Sequence, residues 1–161
     1  MHAFEFSSVL PLEYLDDLEA LLFLNPQQQA VRAGILHALE EYGVPRVDAD
    51  ERQLRVTVGT RTDVQTLYAL ADSPEGCELA GVIVYLRTDL RTVLVLHVAV
   101  AERFSSTGPD ADALLVLRIL ETVRSGARRL KGVRTIAVAY PAGGSLHMPV
   151  RASRAQDGRN P

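Results

Sequence analysis

Four histidines, one cysteine and twenty acidic residues are what the chain offers to chemistry. His97 stands out because it interrupts the apolar run 92–101, and its neutral imidazole can accept a proton near pH 7. Plain strand alternation puts it on the side of Val95 and Ala99, opposite Leu96 and Val98. A lone histidine in an apolar strand is more often a hydrogen-bonded structural residue than a base. Tyr140 ends the last apolar run, where an aromatic ring commonly covers a core edge. His2, His37, His97 and His147 are too scattered to share a metal ion, and Cys77 alone completes no zinc set, so no metal site is expected. No serine sits in a Gly-x-Ser-x-Gly elbow, and no Gly-x-x-x-x-Gly-Lys-Ser/Thr loop occurs. The acidic pairs Asp16-Asp17 and Glu40-Glu41, and the group Asp48, Asp50 and Glu51, read as solvated helix ends and turns.

The elements that must position these residues follow from period and punctuation. Leu12, Leu15, Leu18, Leu21 and Leu22 recur at helical spacing after Ser8 and Pro11, which predicts a helix over 11–24. Asn25 as cap and Pro26 at the first helical position open a second helix that stops at Gly43, ahead of Pro45. From Gln53 the period falls to two, and strands are predicted at 53–58, 64–71, 79–87 and 92–101, joined by short turns as an antiparallel meander. A helix over 110–130 follows, with Leu114, Leu117, Leu120 and Val123 as its apolar stripe. The apolar run 133–140 is then a strand, parallel to 92–101 because a strand–helix–strand step of this length crosses over. The fold class is therefore α+β, with a mixed and mostly antiparallel sheet, two N-terminal helices and one helix after the fourth of these strands. A chain of 161 residues has the length of a single domain, placed here over 1–141, and 142–161, with its glycines, prolines and arginines, is predicted to be an irregular or disordered tail.

Several function classes fall away on composition. The longest apolar run is well short of the ~20 residues that span a bilayer, so no membrane association is expected. A formal charge of −3 argues against nucleic acid, although Arg124, Arg128, Arg129, Lys131 and Arg134 gather near one helix end. A single cysteine and an N-terminus without a basic patch and apolar stretch point to the cytoplasm.

Two segments carry a family likeness. Leu-Ala-Gly-Val-Ile-Val-Tyr-Leu at 79–86 and Val-Ala-Glu-Arg-Phe-Ser-Ser-Thr-Gly at 100–108 resemble the third strand and the Val-x-Pro-Glu-Tyr-Arg-Gly-x-Gly strand–loop motif of the GNAT N-acetyltransferase superfamily. Gly81, Val100, Phe104 and Gly108 are the matching positions, and the order of helices and strands matches as well. Ser105 stands where that motif has Arg or Gln, and Asp110 where it has a very small side chain. The resemblance implies acetyl-CoA as cofactor, its pyrophosphate cradled by backbone N–H groups of the loop and the next helix. It implies Val98, Val100, Phe104, Ser105, Ser106, Thr107 and Gly108 as cofactor-binding residues. It makes His97 the base for an acceptor amine and Tyr140 the proton donor to the leaving thiolate. Asp110 either repels that pyrophosphate or simply caps the helix. The family's closing strands are missing after Tyr140, so a homodimer or another protein partner is expected to complete the sheet. The implied activity is an acyl-CoA-dependent N-acyltransferase. The alternative is a non-catalytic interaction module, an adaptor, chaperone or immunity-type protein, on the same kind of α+β fold.

Overall fold

The computed structural model describes residues 3–25, 32–112, 114–139 and 146–151. Among them are three α-helices, α1 (Leu15–Phe23), α2 (Arg32–Tyr42) and α3 (Leu115–Ala127). The strands are β1 (Phe4–Ser7), β2 (Pro45–Ala49), β3 (Leu54–Val58), β4 (Gln65–Ser73), β5 (Gly76–Arg87), β6 (Thr92–Val100), β7 (Thr135–Val138) and β8 (Leu146–Pro149). Six of them form a mixed sheet in the order β1-β4-β5-β6-β7-β8, while β2 and β3 pair apart as a hairpin. The α+β class, the antiparallel run β4-β5-β6 and the parallel step from β6 to β7 agree with the sequence reading.

Apolar side chains fill both faces of the sheet. On one face α3 lays Leu115, Ile119, Val123 and Ala127 against Ile83, Val93, Val95 and Ile136. On the other, Leu18, Leu21 and Leu22 of α1, together with Leu54, Val56 and Val58 of the hairpin, cover Val82, Val84 and Leu96. Asp16 and Asp17 sit in the first turn of α1, where the helix dipole favours negative charge. Gly43 and Gly59 cross at the mouth of the hairpin. Both have positive φ, +99° and +58°, and a Cβ on Gly43 would lie 2.8 Å from the Gly59 Cα, so this approach requires glycine.

Five expectations need correction. First, β1, short and half polar, was not foreseen; it pairs with β4 from Phe4↔Ala71 to Ser7↔Tyr68 and so occupies the first place in the sheet. Second, β3 takes β2 as its partner rather than leading the meander, because 45–49 also alternates and Asp50 turns the chain by accepting the Arg52 and Gln53 N–H groups. Third, α3 begins at Leu115 rather than at Asp110. Its buried stripe is therefore Leu115, Ile119, Leu120, Val123 and Ala127, with Leu114 and Leu117 exposed. Fourth, the region assigned to an irregular tail contains β8, antiparallel to β7 from Thr135↔Pro149 to Val138↔Leu146. Fifth, the sheet does not stop at the strand after α3, because the chain itself supplies a further strand beyond β7. Val150 just beyond β8 is fully buried, its N–H bonded to the Arg134 carbonyl at 2.8 Å.

Candidate functional site

The β6–β7 pairing runs from Thr92↔Thr135 to Val95↔Val138 and closes with the Ala139 N–H on the Val95 carbonyl at 2.9 Å. Just past that point β6 is irregular: Val84 pairs with His97 and Tyr85 with Val95, so Leu96 is an extra residue in the β5–β6 register. A bulge of this kind reverses strand parity. Val93, Val95, Val98 and Val100 pack toward α3, while Leu94, Leu96 and Ala99 pack toward α1 and the hairpin. His97 joins Leu96 on the α1 side, contrary to the plain alternation that set it with Val95, because two consecutive residues of the bulge share one face.

There His97 borders an apolar cavity of about 240 Å³, lined also by Leu22, Phe23, Ile35, Ala38, Leu39, Gly43, Val44, Pro45, Val58, Val84 and Leu96. The side chain is buried, and desolvation lowers its pKa from 6.5 to about 4. At neutral pH it is uncharged and a weak base. Asn25, read as a helix cap, donates its Nδ2 hydrogen to the Val100 carbonyl at 2.9 Å.

The loop after β6 turns inward. Glu102–Phe104 forms a 3₁₀ turn, and the Phe104 ring is buried edge-on against Phe4, with centroids 5.8 Å apart. The Ser105 N–H reaches the Glu102 carbonyl at 3.1 Å and the Gly108 N–H that of Ser105 at 3.0 Å. Those of Asp110 and Asp112 reach Arg103 and Phe104 at 3.0 and 3.2 Å. Ser105 is buried, with Oγ donating to the Glu102 carbonyl at 2.7 Å and lying 3.3 Å from Thr107 Oγ. Ser106 and Thr107 are exposed. A Cβ at Gly108 would lie 2.2 Å from the Glu102 and Arg103 carbonyl oxygens, so the space that its hydrogen leaves belongs to the loop's own backbone.

Charge in this loop is compensated locally. The Arg103 guanidinium bonds Asp110 through Nε and Glu78 through Nη1, the latter at 2.6 Å. These carboxylates, Asp110 first, raise the arginine pKa still further. Asp110 neither caps α3 nor stands free beside it. Asp112 performs the turn into the helix, accepting the Leu114 N–H at 3.0 Å and pairing with Arg118 at 3.4 Å.

Of the residues singled out by sequence, Val98, Val100, Phe104, Ser105, Ser106, Thr107 and Gly108 lie along the end of β6 and its loop, with His97 on the opposite side of β6 from Val98. Tyr140 lies outside the described residues. The basic cluster has a structural use that spacing did not disclose: Arg124 and Arg128 donate through Nε to the Val150 carbonyl, at 3.3 and 2.9 Å, and both pair with Glu121. Among the described residues no group of three His, Cys, Asp or Glu side chains is arranged to hold a metal ion, and no helix is long and apolar enough to cross a membrane.

A phosphate cradle needs N–H donors pointing outward. Four of the loop donors bond inward, Pro109 has none, and Asp110 and Asp112 flank the turn, all of which weigh against a pyrophosphate at this loop. No protein-family model, curated protein or solved structure matches the chain.

Proposed function

We propose that the chain is a non-catalytic binding module, of adaptor, chaperone or immunity type, on a scaffold that resembles the GNAT acetyltransferases. The observation that carries this reading is the closure of the 105–112 backbone on the carbonyls of Glu102, Arg103, Phe104 and Ser105, which takes up four of the donors that could face an acyl-CoA pyrophosphate. The Arg103 pairs with Asp110 and Glu78 reinforce it, since they hold the loop's guanidinium against two carboxylates. Partners would meet the module as extended segments along a sheet edge or on its faces. The homodimer expected from the sequence stays within this reading, with the outer edge of β8 in place of that of β7 as the strand that meets its copy.

One observation favours the second reading, an acyl-CoA-dependent N-acyltransferase with His97 at the acceptor amine. The parallel β6–β7 ladder ends at Val95↔Val138 while β6 continues to Val100, as a cofactor lying between the two strands would require. A pKa of about 4 leaves His97 poorly suited to remove a proton from an ammonium group, which weighs against that role.

Thermal unfolding in acetyl-CoA separates the two. No shift in melting temperature is expected for the wild type at millimolar ligand. Binding to the folded state at 100 times Kd would instead add about 2.7 kcal/mol and raise the midpoint by roughly 5–10 °C. A rise of that size would establish the cofactor and overturn the module. A rise in Asp110→Gly alone would show that the Arg103–Asp110 contact closes a cradle still present beneath it.

A further inference from the structure

We propose that the cavity between α1, α2 and the bulged part of β6 is a binding site for a neutral, medium-chain hydrocarbon ligand with a single oxygen-bearing end, of the fatty-alcohol type. The inference goes beyond the reading above and does not depend on it. Three features set the ligand class. The cavity, at about 240 Å³, is far larger than the ~10–15 Å³ that admits one water, and an apolar cavity of this kind favours hydrocarbon over solvent. Its walls, drawn from Leu22 and Phe23 of α1, Ile35 and Leu39 of α2, and Val84 and Leu96 of the sheet, are aliphatic or aromatic. No Lys, Arg, Asp or Glu is among the described lining residues, so a charged end-group would enter without a counter-charge, at a large desolvation cost. Among the described lining residues His97 is the one polar side chain, and burial keeps it uncharged at neutral pH, so it suits a hydroxyl or ester oxygen rather than a carboxylate. The bulge makes this site: with plain alternation His97 would face α3, and the cavity would lose its polar wall.

The probe is 1-octanol, titrated into the full chain by calorimetry at pH 8 while the His97 imidazole signals are followed by NMR. Saturable one-to-one binding that moves those signals is expected, with affinity rising about fourfold for each methylene between butanol and octanol. Octanoate is expected to bind at least ten times more weakly. Ala38→Phe, which fills the cavity from its α2 wall, is expected to weaken octanol binding at least tenfold with native near-ultraviolet dichroism retained. Should that variant fail to fold, Ile35→Phe at a half-buried wall position makes the same test. Octanol uptake that does not saturate, octanoate binding as tightly as octanol, or folded variants that bind like the wild type would each overturn the site. Because no probe carries a nucleotide, the result is independent of whether acetyl-CoA binds.

Discussion

Burial holds the His97 ring uncharged, and that state leaves a mark on stability. The unfolded chain takes up the imidazole proton near the ordinary value of 6.5, the folded chain only near 4. Between those values the unfolded state binds more protons, so stability is full above about pH 6.5 and falls as pH drops toward 4. The whole effect is roughly 3 kcal/mol. Urea unfolding of wild type and His97→Gln at pH 7.5 and 4.5 checks this: the difference in stability between the two proteins is expected to change by about 2–3 kcal/mol across that interval, most of the whole effect. Parallel pH curves would show that the folded ring titrates normally. Sequence alone drew attention to His97, because a histidine inside an apolar run is conspicuous, but it gave the wrong face. A bulge at Leu96 carries no glycine or proline to announce it, and its parity reversal emerges only from the pairing of Val84 with His97 and Tyr85 with Val95. Asp110 was misread for a related reason: its partner Arg103 is close in the chain, but through a turn whose hydrogen bonds no periodicity encodes.

The helices and central strands were legible because each is long enough to show its period. Leu18, Leu21 and Leu22 mark α1, and the apolar runs of β5 and β6 mark strands buried on both faces. The short elements were not. β1 and β8 have four residues each and few buried side chains, so neither shows a buried and exposed alternation. What secures β8 lies just beyond it, in Val150 and in the two arginines of the α3 region that hold its carbonyl. Val150→Ala is therefore expected to cost about 1.5–3 kcal/mol, as befits a fully buried side chain, and Arg128→Ala about 1 kcal/mol. Denaturant midpoints of the two variants measure both. If β8 were merely laid against the sheet, neither change would move the midpoint beyond a few tenths of a kcal/mol.

For the whole molecule, β8 decides how the sheet ends. It covers the outer edge of β7, whose Ile136, Ala137 and Val138 are buried. A chain ending at Ala139 is expected to expose that edge and to self-associate, with a higher mass by light scattering than the full chain at equal concentration. An unchanged mass would mean that β7 does not need β8 for its protection. The sequence reading arrived at the sheet's four central strands but not its limits, since an apolar strand announces burial without naming what buries it. One consequence of the bulge at Leu96 concerns how such a protein can change over generations. Before it, Val93 and Val95 answer to α3 and β7; after it, His97 answers to the opposite layer. The strand is thus divided into two lineages of constraint. Substitutions at position 97 can retune the cavity's chemistry without touching the ladder to β7, and loss of the extra residue would restore plain alternation while leaving the downstream half of β6 on its present faces.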